Sequence, residues 1–264
     1  MYRLLMVTDD AAVLERLSAM TGWEAMGYKP PHLRSSVEGA MECLGRHSVD
    51  AVAVAQVPAL EPLLPYLDEK YPRTPLLEIA DTEEEQYAML KELANLLTRL
   101  AADDSNDEYD QIARFDQQRE RWLRKVIAGI VPTQADICRQ LRLYRCGTAL
   151  NKPCMLTRLE VPQDDSFLSE RWHYGSERLE TALRNFFGTQ REHMLIHVAV
   201  ISPKEVRVLC YPADEQADMS EKVILSFVQE TVEQVQHYLG LRMQVLETRR
   251  LSGLGDFAAD KAVI

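Results

Sequence analysis

The first hundred residues alternate between short apolar runs and amphipathic stretches. Residues 2–7 form an apolar run that ends in acids, which predicts a strand, and within 11–20 Val13, Leu14 and Leu17 fall on one helical face. Residues 23–33 follow no clear period. Residues 36–45 return to helix, with Val37, Ala40, Met41 and Leu44 at i, i+3, i+4 and i+7. The stretch 49–55 is almost continuously apolar, the mark of a strand buried on both faces of a parallel sheet. A proline-punctuated helix over 58–71 and a strand over 75–80 follow. Asp81-Thr82-Glu83-Glu84 then starts a helix with acids in its first turn, where the macrodipole favours them, and it continues to about residue 101. This β-α alternation predicts a doubly wound parallel sheet.

Residues 102–110 are polar and acidic and mark a boundary. Beyond them Ile112, Phe115, Trp122 and Val126 occupy heptad a and d positions, with Arg119 at the intervening a position. Such a stripe has two readings: packing on its own domain, or a seam between two copies of the chain. Pro132 is expected to end this helix, and another covers 134–144. The remainder changes style. A strand over 154–160, a helix over 176–187 and a β-hairpin formed by 193–200 and 206–211 are followed by a helix over 223–239 and a strand over 242–246. That order predicts an α+β layer, a mostly antiparallel sheet with helices on one face. The expected organisation is a parallel α/β domain over 1–102, an acidic linker and connecting helix over 103–131, and a second α+β domain over 132–264.

Length and charge narrow the function. A chain of 264 residues, 46% hydrophobic, accommodates two cores of this size. The 41 acids outnumber the 30 basic residues and give a net charge of −11, which opposes nucleic-acid phosphates, so no direct DNA binding is expected. No apolar run reaches the ~18 residues of a membrane span, and residues 1–7 are too short for a signal peptide. A cytoplasmic location follows. Five cysteines without any C-x-x-C pair point to reduced thiols rather than a disulfide framework or a zinc site. His193 and His197 share a strand face but lack a third ligand nearby, which favours a rim pair over a metal site. His173 sits in a loop between Trp172 and Tyr174. No phosphate-binding glycine loop or nucleophile elbow occurs, and neither a metal nor a cofactor is expected.

With Leu4-Leu5-Met6-Val7-Thr8-Asp9-Asp10, then 49–55 and 74–80 downstream, the first third resembles a response-regulator receiver domain. In that family an acidic pair after the first strand helps to bind Mg²⁺, and an aspartate ending the third strand accepts the phosphoryl group. The resemblance puts Thr8 and Asp9 at the acidic pair, with Asp10 following. The acceptor place falls on Ala55 and the switch place on Ala80, neither of which carries an oxygen on its side chain. No fifth strand ending in Lys-Pro lies between residues 81 and 110. The resemblance therefore implies a pseudo-receiver, with Asp9 and Asp10 as solvated remnants.

Residues 111–257 resemble the middle region of AraC-type response regulators, similar to a degenerate GGDEF domain. The match rests on the entry helix 119–127, the strand 155–160, Asn185-Phe186-Phe187, the hairpin, and Tyr238-Leu239-Gly240-Leu241. An active cyclase carries two glycines and acids at the hairpin turn, where this chain has Ser202-Pro203-Lys204-Glu205; only Glu205 matches an acid, and proline removes a backbone donor. Such regulators continue into a helix-turn-helix reader, for which the residues after 250 are too few. Together the resemblances imply a non-enzymatic regulator in two-component signalling or transcription that acts through protein partners, a homodimer among them, or through a ligand. The alternatives are a nucleotide sensor or residual cyclase using the second domain, and a structural adaptor.

Overall fold

The structure, a computed structural model, describes residues 1–101, 108–146, 152–162 and 167–259, with the backbone alone for 108–112 and 169. It divides into two compact units: Met1–Arg119 with Arg139–Cys146, and Glu120–Cys138 with Gly147–Ile264.

In the first unit β1 (Leu4–Val7), β2 (His32–Arg34), β3 (Ala51–Val54) and β4 (Leu76–Glu78) form a parallel sheet in the order β2-β1-β3-β4. β1 lies centrally, Met6 being opposite Leu33 on one side and Ala53 on the other. All four residues of β1 and of β3 are buried, which explains their unbroken apolar runs. The helices are α1 (Ala11–Ala19), α2 (Val37–Arg46), α3 (Leu63–Lys70) and α4 (Glu83–Ala101). Leu5, Val7, Val52 and Val54 pack with α2 and α3 through Ala40, Leu44, Leu63 and Leu67. Leu17 of α1 and Leu90 and Leu93 of α4 lie outside that cluster, leaving the opposite face of the sheet to them.

Two local expectations need correction. β2 falls at the end of the stretch without a period, because its three half-buried residues are too few to show one. The helix expected over 58–71 is a short 3-10 turn, Pro58–Leu60, followed by α3, since Pro62 lacks the N–H that would continue a helix through it.

The boundary differs as well. The expected limits were 102 and 131, but the division falls inside α5 (Glu108–Ile127) and α6 (Gln134–Leu143), so the connecting helix is shared between the units rather than standing as a separate linker. Residues 103–107 of that linker lie outside the described residues. α5 stops before Pro132. Gly129 adopts φ +72° and donates to the Val126 carbonyl at 2.8 Å, while Ile130 donates to the Lys125 carbonyl at 3.0 Å, a left-handed cap that satisfies two terminal carbonyls. The end of α6 belongs to the first unit, where Arg142 pairs with Glu78 of β4 and Arg139 with Glu92 of α4. Leu141, Leu143 and Tyr144 are buried there.

The second unit holds a five-stranded antiparallel sheet in the order β6-β7-β8-β5-β9, made from β5 (Cys154–Glu160), β6 (Gln190–Arg191), β7 (Met194–Ser202), β8 (Glu205–Pro212) and β9 (Gln244–Leu251). α7 (Gly175–Phe187) and α8 (Glu221–Tyr238) cover one face, where Leu183, Phe187, Val228 and Val235 meet Ile196, Val198, Val208 and Cys210. The expectation of helices on one face alone is corrected by α5, whose last carbonyl, at Ile127, accepts from the opposite-facing Arg207 at 2.7 Å. Its charged surface residues had concealed that role. Gly240 follows the C-cap Leu239 of α8 at φ +87°.

Candidate functional site

The first site is the cleft at the carboxyl ends of β1, β3 and β4, the place where open α/β sheets receive ligands. It encloses about 570 Å³ and is lined by Thr8, Asp10, Ala55, Ala80, Glu85 and Arg139, among others. Three of the four residues expected for the receiver pocket therefore meet here. Asp9 is exposed and is not part of the lining.

Asp10 is more than a solvated remnant. Its Oδ1 accepts the backbone N–H groups of Ala12 at 2.8 Å and Val13 at 3.2 Å, which makes it the N-cap of α1. The hydroxyl of Thr8, almost fully buried, accepts from the Asp10 amide at 3.3 Å. Ala55 presents a methyl group, and its backbone N–H is spent on the Val7 carbonyl at 2.9 Å.

The loop after β4 is tied from two sides. Arg16 of α1 donates to the carbonyls of Ala80 and Asp81, and Gln86 of α4 accepts the Ala80 N–H at 2.9 Å. A receiver-type switch needs a hydroxyl at this position that follows a phosphoryl group; here the backbone is held by side chains instead. Arg16 and Gln86 escaped the sequence reading because each looks like an ordinary polar helix residue.

The second site is the β7–β8 hairpin turn. Ser202 stands opposite Glu205, with Pro203 and Lys204 between them. Lys204 donates to the Ser202 hydroxyl at 3.2 Å and accepts from the Val161 amide at 2.9 Å, so the turn is closed on itself and on the chain after β5. Oε1 of Glu205 accepts from Arg158 and from Arg207, each at 2.9 Å. Burial alone would raise its carboxyl pKa, but the hydrogen bonds from Arg207 and Arg158 win and hold it below the ordinary range. The charge of Glu205 is thus offset by two arginines. Arginines set in apolar strands at 158 and 207 were the available signal for this network.

Beside the turn lies a smaller cleft of about 320 Å³, lined by Arg124, Trp172, Ser176, Val200, Ser202 and Pro203, among others. Arg124 there is committed to Glu180 at 3.4 Å. His173 is exposed and does not line this cleft.

The remaining candidates separate. His193 pairs with Asp214 at 2.7 Å, whereas His197 lies between Glu120 at 3.2 Å and the Tyr211 hydroxyl at 2.8 Å, so the two share no ligand. Among the described residues no group of three or more His, Cys, Asp or Glu side chains could hold a metal ion. Burial pushes the thiols of Cys154 and Cys210 up to about 12, far from a reactive thiolate. No helix among the described residues is long and apolar enough to cross a membrane.

Of the two readings of the α5 stripe, burial favours packing on its own chain. Phe115, Trp122 and Val126 are 2%, 4% and 0% exposed within a single chain, because the apolar stripe is used for the chain's own packing. Arg119 pairs with Asp116 at 3.0 Å, and the side chain of Ile112 lies outside the described residues. No protein-family model matches this chain, and no curated protein is significantly similar to it.

Proposed function

We propose that this chain is a non-enzymatic regulatory protein of the response-regulator type, acting through protein contacts and not through phosphorylation. The observation that carries this reading is the cleft at the strand ends: Ala55 stands at the acceptor place, Asp10 is committed to capping α1, and Ala80 is clamped by Gln86 and Arg16. Ala55 supplies no carboxylate at the acceptor place, and Ala80 no hydroxyl at the switch place. A role in transcription control and a cytoplasmic location belong to the same proposal.

The test is direct. The chain is incubated with a small acyl phosphate and Mg²⁺, and separately with GTP and Mg²⁺. The expected result is an unchanged intact mass and no nucleotide product. One added phosphoryl group that disappears when Asp9 or Asp10 is substituted, or a GTP-derived product lost in Glu205→Gln, would overturn it.

A second reading is favoured by one observation, the cleft beside the hairpin turn, where Trp172 offers an aromatic surface beside the Arg124–Glu180 pair. It casts the second unit as a nucleotide sensor. Binding to the native state raises the unfolding midpoint, so a nucleotide that does so in the wild type and not in Trp172→Ala supports this reading. The absence of any such shift across purine and pyrimidine nucleotides leaves the first reading standing.

A further inference from the structure

The two edges of the five-stranded sheet are treated differently. At one end β6 covers only the start of β7, and farther along β7 the N–H of Val200 is taken by Oε2 of Glu180 at 3.0 Å. A buried side chain from α7 closes that edge. At the other end β9 pairs with β5 on one side and, among the described residues, has no strand on the other. An edge strand of eight residues, four of them exposed, is a template for another strand.

The residues along β9 determine which strand fits. Arg158, Thr157 and Leu156 of β5 stand opposite Glu247, Thr248 and Arg249, so Glu247 and Arg249 point to one face and Thr248 to the other. We infer that β9 is a homodimer contact, in which two copies pair antiparallel about a twofold axis through Thr248 and extend the sheet across both chains. In that register Glu247 of each copy, which also takes Arg158 of its own chain at 3.3 Å, lies opposite Arg249 of the other, adding two equivalent intermolecular ion pairs around a Thr–Thr pair.

Neighbouring registers are disfavoured by charge. A perpendicular twofold requires residues of one face to lie opposite each other, so the register slips by whole side-chain repeats. Centring on Glu247 sets two carboxylates face to face, and centring on Arg249 sets two guanidinium groups face to face. The alternation Glu-Thr-Arg is therefore self-complementary in one register alone. A bulge limits the regular run, since Arg158 pairs with Glu247 but Leu159 with Val245, leaving Leu246 extra and 55% exposed at the boundary. Edge charges and a bulge are also the means by which sheets stay monomeric, and that is the rival outcome. The inference does not depend on the proposed function.

Sedimentation equilibrium of the full chain over a wide concentration range tests it. The wild type is expected to self-associate. Glu247→Arg and Arg249→Glu, each checked for native circular dichroism, should weaken association by about tenfold or more, because each turns two attractions into two repulsions. Combining both substitutions recreates the pairs in reverse and should restore it. As a readout that leaves the charges intact, Thr248→Cys should form a covalent dimer on mild oxidation, with the wild type as control for its own five thiols. A monomeric wild type at all concentrations, single variants that associate normally, a double variant that does not recover, or no added crosslink at residue 248 would each overturn the inference.

Discussion

Oε1 of Gln86, completely buried in α4, accepts the backbone N–H of Ala80 at 2.9 Å and so fixes the loop that leaves β4. Arg16 secures the same loop through the carbonyls of Ala80 and Asp81. Replacing Gln86 with Leu removes the acceptor and leaves a half-buried amide unpaired, at a cost of about 1–2 kcal/mol. Urea unfolding should register that loss, and hydrogen exchange should quicken at the Ala80 amide. A variant with unchanged exchange at Ala80 would show that the loop is held by other contacts.

Glu205 links stability to pH. Its carboxyl pKa is held down in the folded chain, so the unfolded state binds the proton more readily. The stabilisation is complete above the ordinary glutamate range and is lost as pH falls through the lower folded-state value. Glu205→Gln should therefore destabilise the second unit most at neutral pH, by about 1–3 kcal/mol, since Arg158 and Arg207 lose a charged acceptor. The difference from wild type should shrink as pH drops toward 3. Parallel stability curves for the two proteins across that range would contradict the assignment.

Much of the architecture was legible in the chain because burial leaves a pattern. β1 and β3, covered on both faces, read as apolar runs, and α7 and α8 show the spacing of helices with one buried side. β2 did not show, having three half-buried residues, nor did most of β9, whose exposed Glu247 and Arg250 resemble loop. In the first site Ala55, Ala80 and Asp10 could be placed from strand ends alone. The groups that restrain them could not, because Arg16 acts across 64 residues of chain and Gln86 across six, both on backbone atoms, and a sequence pattern records side-chain burial but not such partners.

A second pH effect is expected in the first unit. His32 and His47 stack with ring centroids 4.7 Å apart. Burial, then the proximity of His47, Arg34 and Arg3, lowers the pKa of His32. The folded state resists protonation there, so stability contributed by the neutral ring is present above the ordinary value of about 6.5 and lost as pH falls through the lower folded value. His32→Gln should make unfolding of the first unit less sensitive to pH just below about 6.5. Titration of the His32 ring by NMR at or above 6.5 would refute this.

The stripe on α5 offers the sharpest choice between packing and assembly. Trp122 is 4% exposed, and Val126 one turn later is fully buried, both within the second unit of one chain. Trp122→Ala should cost about 3–5 kcal/mol by emptying an aromatic-sized space, and Trp122→Glu should cost more, because a carboxylate would then have to be buried without an assigned partner. Loss of near-ultraviolet circular dichroism and a lower urea midpoint are expected for both. A seam between copies predicts something else: a Glu variant that keeps its fold and merely becomes monomeric. Light scattering and urea unfolding on the same samples separate these outcomes, and a stable, monomeric Trp122→Glu protein would return the stripe to an intermolecular role.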